Sequence, residues 1–101
     1  MILLAGNLEN VETFNKAEEH LIDTQKKHQI YGTATIINSA KIIKELPEDV
    51  EPKLITSLLI TLLNACDTIY MLTGWEHDLD ARVLHEYANA NQYQIIYSKK
   101  F

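Results

Sequence analysis

Short apolar runs alternate with amphipathic segments along the whole chain, and this alternation limits the fold more than any other feature. The apolar runs are rich in β-branched residues or bounded by turn residues, as strands are. They occupy residues 2–6, 33–38, 67–72 and 93–97. Strands separated by helices form parallel sheets whose two faces are covered by right-handed crossovers. We therefore expect an α/β three-layer sandwich around a four-stranded, mainly parallel sheet.

Apolar residues spaced three and four apart predict the helices between these strands. A first long helix starts at residue 10 or 11, and a helical turn followed by a loop occupies residues 41–51. Residues 53–65 predict the most buried helix, because six large aliphatic side chains form one broad face. A last helix covers residues 78–91, and the tail at residues 99–101 is expected to be loose.

Length, charge and cysteine content exclude several classes of function. A chain of 101 residues fits one domain, and its net charge of −5 without a basic stripe argues against a nucleic-acid partner. No apolar run has membrane-spanning length and none resembles a signal peptide, so we expect a cytoplasmic protein without membrane contact. The single cysteine, Cys66, is expected to be buried and unreactive. Glycine-rich phosphate loops and serine-hydrolase motifs are missing, and no cofactor is expected.

Three loops are predicted to converge at the carboxyl ends of the strands, where parallel sheets bind ligands. Their candidate ligand-binding residues are Gly6, Asn7, Asn38, Gly74, Trp75 and Asp78. The two asparagines either contact a ligand or only set turns. The tryptophan either offers a flat wall to a base or sugar, or covers the sheet edge or a subunit contact. The sequence leaves both pairs of alternatives open.

Acidic residues cluster where the last helix starts. Glu76, Asp78 and Asp80 are candidates for general acid–base or nucleophilic catalysis. For the two aspartates, capping of the free N–H groups at the helix start is the competing explanation. His77 and His85 lie nearby, but their spacing does not place two imidazoles on one helix face. We therefore expect no metal site.

Four stretches of the sequence carry a resemblance to a known family. They are LLAGN (3–7), FNKAEEHL (14–21), IINSA (36–40) and CDTIYMLTGW (66–75), of which the last is the most specific. With these motifs the chain resembles small phage and prophage proteins related to nucleoside 2-deoxyribosyltransferases and deoxynucleoside-monophosphate N-glycosidases. The resemblance covers most of the chain and implies one flavodoxin-like, or Rossmann-like, domain over residues 1–101. It also implies a homodimer or larger oligomer in which neighbouring subunits complete the site.

The chemistry of that superfamily implies two carboxylates, and this chain departs from the pattern at both positions. The nucleophilic Glu of the family stands six positions after a Ser or Asp that binds the sugar; here Asp78 is followed by Leu84. A second carboxylate, eight positions before the Asp of the third strand, is replaced by Leu59. A glycine of the family is Asp80 here, and its charge would repel phosphate. Glu86 does not substitute for the nucleophile, because it lies roughly 200° around the helix from position 84.

We therefore expect a catalytically impaired protein that binds a nucleoside-like or nucleotide-like small molecule or a protein partner. The acidic rim favours an uncharged nucleoside over a phosphorylated ligand. The alternative is a divergent N-glycosidic hydrolase or deoxyribosyltransferase acting on (deoxy)nucleosides, with Asp78, Asp80 or Glu76 as its working carboxylate. The apolar helix at residues 53–65 predicts a homodimer, with Ile60, opposite the main apolar stripe, at the contact.

Overall fold

A computed structural model describes residues 1–28 and 34–101 of the chain. Its strands are β1 (Ile2–Ala5), β2 (Ile36–Asn38), β3 (Thr68–Met71) and β4 (Gln94–Tyr97). Its helices are α1 (Val11–His28), α2 (Ser39–Lys44), α3 (Pro52–Asn64) and α4 (Leu79–Ala90). A 3₁₀ turn, Trp75–His77, precedes α4 and was not predicted. The order of the other elements follows the predicted alternation.

The strands of the described residues form one parallel, four-stranded sheet in the order β2-β1-β3-β4. In its centre, Leu3 pairs with Ile37 on one side and with Ile69 on the other. Both central strands are buried at every position, which explains their continuous apolar sequences. The strand order is that of the flavodoxin-like fold without a fifth strand. The predicted α/β class and parallel sheet are therefore confirmed.

Alternate side chains of the sheet divide the core into two apolar layers. Leu3 and Ile69 belong to the layer beneath α3 and α4, whereas Leu4 and Tyr70 belong to the layer beneath α1. Because successive side chains of a strand point to opposite faces, these helices cover opposite faces of the sheet. The molecule is thus the expected three-layer sandwich.

Two element boundaries differ from the predicted ones by more than one residue. The second strand begins at Ile36; Thr33, from which it was predicted, lies outside the described residues. Helix α2 begins at Ser39, two residues before the predicted helical turn, because the side chain of Asn38 caps it. None of the helices in the described ranges is both long and apolar enough to cross a membrane.

Helix α3 is less buried than its sequence predicts. Its fully buried residues are Leu59 and Leu63, and Leu54 is half exposed. Ile60, expected to face away from the core, packs against the apolar layer beneath α3 and α4. Since α3 shares this face of the sheet with α4, a narrow apolar stripe suffices to cover its part of the sheet. The predictions that α3 is the most buried helix and that Ile60 faces away from the core are therefore wrong.

The C-terminal tail is packed, which contradicts the expectation of a loose end. Phe101 contacts the apolar layer beneath α1, and its ring centroid lies 5.4 Å from that of His20. The Oγ of Ser98 accepts a hydrogen bond from the backbone N–H of Phe101 at 2.8 Å and fixes the turn. Since α1 is the only long helix that the described residues place on this face, the tail covers apolar surface beside it.

Candidate functional site

The carboxyl ends of β1 and β3 flank the point where the strand order reverses, the usual ligand position in such sheets. Gly6 leaves β1 here, and a Cβ added to it would lie 3.0 Å from the Cβ of Leu72. Gly74 leads from β3 into the 3₁₀ turn with a φ of 83°, a left-handed conformation that suits glycine. Both predicted ligand-binding glycines therefore shape the path of the chain, and the buried side chain of Leu72 packs closely against Gly6.

The two asparagines predicted at the rim hold backbone and side-chain groups of the protein itself. Asn38 is buried, and its amide nitrogen donates to the side-chain oxygens of Asn15 and Glu18, each at 3.0 Å. Its Oδ1 accepts from the backbone N–H of Lys41 and caps α2. Asn7 is exposed, and its Oδ1 accepts from the backbone N–H two residues further on. The side-chain oxygens of both asparagines thus set turns, and the amide nitrogen of Asn38 ties the end of β2 to α1.

Asp78 and Asp80 lie together at the start of α4, as the sequence predicts. The Oδ2 of Asp78 accepts from the backbone N–H of Ala81 at 2.9 Å, which makes Asp78 the N-cap of α4. The Oδ1 of Asp80 accepts from the Oγ1 of Thr56 at 2.8 Å, so this carboxylate ties α4 to α3. Capping and bonding between helices therefore occupy one oxygen of each carboxylate.

Two open grooves flank Leu79, whose side chain is highly exposed. The first, which we call the α3–α4 groove, has a volume of about 530 Å³ and contains both aspartates. Pro52, Lys53, Thr56 and Ser57 also line this groove. The second, which we call the outer groove, has a volume of about 480 Å³. It is lined by Trp75, Glu76, Leu79, Arg82, Val83 and Glu86. The structure thus separates Trp75 and Glu76 from the aspartates.

Leu59 and Leu84, which the resemblance aligns with two catalytic carboxylates, lie in the core. They are 1 % and 2 % exposed and belong to the same apolar cluster beneath α3 and α4. Trp75 and Leu8 pack against this cluster from the rim. The side chain of Glu86 is 79 % exposed on the outer side of α4. The prediction that the two leucines extend the apolar faces of their helices is confirmed.

An aromatic cluster that the sequence did not predict closes the rim beside β4. The ring of Trp75 stacks on that of His85, with centroids 4.2 Å apart and planes inclined by 25°. The Nε2 of His85 lies 2.7 Å from the hydroxyl oxygen of Tyr97, the last residue of β4. Its Nδ1 is buried without a hydrogen-bond partner in the described part of the chain, and Oε1 of Glu86 is 3.6 Å away. An imidazole therefore covers one face of the tryptophan, and further Trp75 surface lines the outer groove.

Cys66 is buried and unsuited to nucleophilic chemistry. Its Sγ donates to the carbonyl oxygen of Leu62 at 3.4 Å. Burial raises the pKa of the thiol above its ordinary value, so the reactive thiolate forms less readily. The buried position agrees with the prediction from its apolar neighbours. Across residues 1–28 and 34–101, no group of three or more His, Cys, Asp or Glu side chains is arranged to hold a metal ion.

Comparison with known proteins gives one family match. The model of the family described as a domain of unknown function (DUF4406) matches residues 2–97. This range runs from the first residue of β1 to the last residue of β4. Comparison with curated proteins gave no match, and comparison with solved structures gave none either.

Proposed function

The chain belongs to the DUF4406 family, and we propose that it is a non-catalytic binding protein with the frame of a nucleoside 2-deoxyribosyltransferase. The motifs from LLAGN to CDTIYMLTGW suggest that frame. The observation that carries the proposal is the burial of Leu59 and Leu84 in one core cluster.

Cleavage of an N-glycosidic bond through a covalent intermediate needs a carboxylate at the anomeric carbon. Leucine can neither attack that carbon nor hold a proton, and removal of a nucleophile costs orders of magnitude in rate. One carboxylate oxygen of Asp78 accepts a hydrogen bond from a backbone N–H, and one of Asp80 accepts from a threonine hydroxyl. Glu76 and Glu86 line the outer groove. None of these carboxylates therefore takes the place of the missing nucleophile.

A protein partner suits the described surface better than a small molecule in the crevice. Leu72 crowds Gly6, the amide of Asn38 is engaged, and His85 covers one face of the tryptophan. By contrast, Leu79 and Val83 are 72 % and 39 % exposed on the outer side of α4. Exposed apolar side chains with a charged margin are typical of protein contacts. We therefore infer that binding takes place on this outer side.

A nucleoside-like small molecule in the α3–α4 groove is the second candidate, and the position of Asp78 favours it. Asp78 and Asp80 both line this groove, and a carboxylate has more than one lone pair free to accept from sugar hydroxyls. Two negative charges would repel a phosphate, so an uncharged nucleoside fits this groove better than a nucleotide. The same carboxylates are the groups that a divergent glycosidase would use.

A thermal-shift screen against nucleosides, deoxynucleotides, cyclic nucleotides and ADP-ribose-type compounds tests the proposal, with each mixture analysed for free base by chromatography. We expect no base from any compound. A melting temperature raised by a nucleoside without base release would support the second candidate, because a ligand that prefers the native state stabilises it. Base release by the wild type that disappears in Asp78→Asn would contradict the non-catalytic proposal. The asparagine retains an oxygen for capping, so this variant keeps the fold.

A further inference from the structure

We propose that the outer stripe of α4 binds a second copy of this chain, with the two α4 helices antiparallel across a two-fold axis. The outer stripe consists of Leu79, Arg82, Val83 and Glu86, with Trp75 at its N-terminal end. The second copy is then the protein partner that the proposed function assigns to the outer side of α4, and the inference rests on that part of the proposal. It stands whether or not the protein cleaves glycosidic bonds, because Leu79 is the only residue of the outer stripe that also lines the α3–α4 groove.

The outer stripe is a second apolar face on a helix whose buried face is already complete. Ala81, Leu84 and Ala88 are buried against the sheet and supply the stripe that an amphipathic helix needs. Leu79 and Val83 lie four residues apart on the other side, exposed by 72 % and 39 %. Residues at this spacing are neighbours on a helix surface, so the two side chains form one continuous apolar strip. This strip stays exposed in the isolated chain, where it contributes nothing to the core.

Arg82 and Glu86 make the outer stripe electrostatically complementary to itself. They are one turn apart, which is about 6 Å along the helix axis. Suppose that two α4 helices lie antiparallel and that the two-fold axis passes midway between Arg82 and Glu86. Each Arg82 then faces Glu86 of the other copy. The two ion pairs flank the axis, and Val83 from both copies meets beside it. An interface between identical surfaces requires such reciprocal contacts.

Arg82 is available for these contacts. The ion pairs formed within the described residues involve other cations, and none places a carboxylate within 4.0 Å of Arg82. An isolated exposed pair contributes little, but two pairs beside a desolvated apolar contact orient the copies. The pairs between Arg82 and Glu86 therefore determine that the helices are antiparallel, and the aliphatic side chains supply most of the affinity.

A second copy fits the outer stripe better than a strongly charged partner does. The stripe carries both signs of charge, so an anionic partner would meet Glu76 and Glu86, and a cationic one would meet Arg82. The net charge of −5 makes identical chains repel one another. Association of two copies therefore needs a surface on which opposite charges face each other. One helix face is smaller than a standard interface of about 800 Å² per partner, so we expect a reversible dimer of micromolar affinity.

Sedimentation velocity over a concentration series from about 1 μM to about 1 mM tests this proposal. We expect the wild type to move from monomer to dimer within this range. Arg82→Glu and Glu86→Arg each place like charges across the axis, and each should weaken the dimer at least tenfold. An equimolar mixture of the two variants puts opposite charges back on both sides of the axis, and the mixture should dimerise again although neither variant does so alone.

Lys26→Glu is the matched control, because it makes the same change in charge at an exposed position on α1, across the sheet from α4. It should dimerise like the wild type, and far-ultraviolet circular dichroism should show all variants folded. A wild type that stays monomeric, an Arg82→Glu variant that dimerises normally, or a mixture that fails to associate would each overturn the proposal. None of these outcomes concerns base release, so the self-association and the non-catalytic function fail independently.

Discussion

Leu84 stands where the resemblance expects a nucleophilic glutamate, and its side chain contributes stability in place of chemistry. Like Leu59, it is buried in the apolar layer beneath α3 and α4. A carboxylate at either position would be desolvated among aliphatic groups, at a cost that leucine avoids. The two leucines at the positions where the resemblance expects carboxylates are therefore part of the core.

Leu84→Ala tests this role at the residue scale. Removal of a fully buried leucine leaves a cavity, and we expect the free energy of unfolding to fall by about 2–5 kcal/mol. Urea denaturation followed by circular dichroism measures the change. Val83→Ala, one residue away on the exposed side, should cost less than about 1 kcal/mol. Equal losses in the two variants would contradict the burial of Leu84.

Cys66 gives a second test at this scale, through pH and alkylation. Burial raises the pKa of its thiol in the folded state, so near pH 8.5 the native protein should react with iodoacetamide far more slowly than the denatured protein. As pH rises, the thiol loses its proton in the unfolded chain before it does so in the folded one. The contribution of Cys66 to the free energy of unfolding is therefore complete below the unfolded pKa of about 8.5 and decreases above it. A native reaction as fast as the denatured one would show that Cys66 is accessible.

At the scale of elements, the sequence determined the sheet better than the rim. Strands β1 and β3 are buried on both faces, so their continuous apolar runs were readable. The cap of α4 by Asp78 was also readable, because capping needs only neighbours in sequence. The contact of Trp75 with His85 and Tyr97 was not, since it joins a turn, a helix and an edge strand that meet only after folding.

The cap of α4 is testable by replacing its side chain. Asp78→Ala removes the oxygen that accepts from the backbone N–H of Ala81, and we expect a loss of about 1 kcal/mol in unfolding free energy. Asp78→Asn and Asp78→Ser keep an oxygen acceptor and should stay within about half of that loss. Thermal denaturation of the three variants beside the wild type measures the difference. An alanine variant as stable as the wild type would remove the capping explanation.

At the scale of the whole molecule, one long helix and a short tail cover the face of the sheet that carries Leu4 and Tyr70. The fold has the flavodoxin-like strand order but four strands in the described residues, so β4 is an edge. The tail was not predictable, because residues 99–101 are too few to show periodicity. Its place follows from the tertiary structure: apolar surface beside α1 is left for Phe101 to cover.

Phe101→Ala tests this use of the tail. The ring contacts the layer beneath α1 and is partly buried, so we expect a loss of about 1–2 kcal/mol, less than for a core phenylalanine. Lys99→Ala, an exposed position in the same tail, should be close to neutral. Chemical denaturation of both variants makes the comparison. A neutral Phe101→Ala would mean that the tail does not stabilise this face.

The central claim is that the protein has the fold of a nucleoside 2-deoxyribosyltransferase but does not cleave glycosidic bonds. Incubation of the protein with purine and pyrimidine deoxynucleosides at near-stoichiometric concentrations tests it most directly. Chromatography then measures free base, and intact-mass spectrometry measures any sugar bound to the protein. Because Leu59 and Leu84 occupy the positions where the resemblance expects carboxylates, we expect neither free base above the rate without protein nor a glycosylated protein. Free base or a sugar adduct that is lost in Asp78→Asn would contradict the claim and assign the protein to the glycosidases.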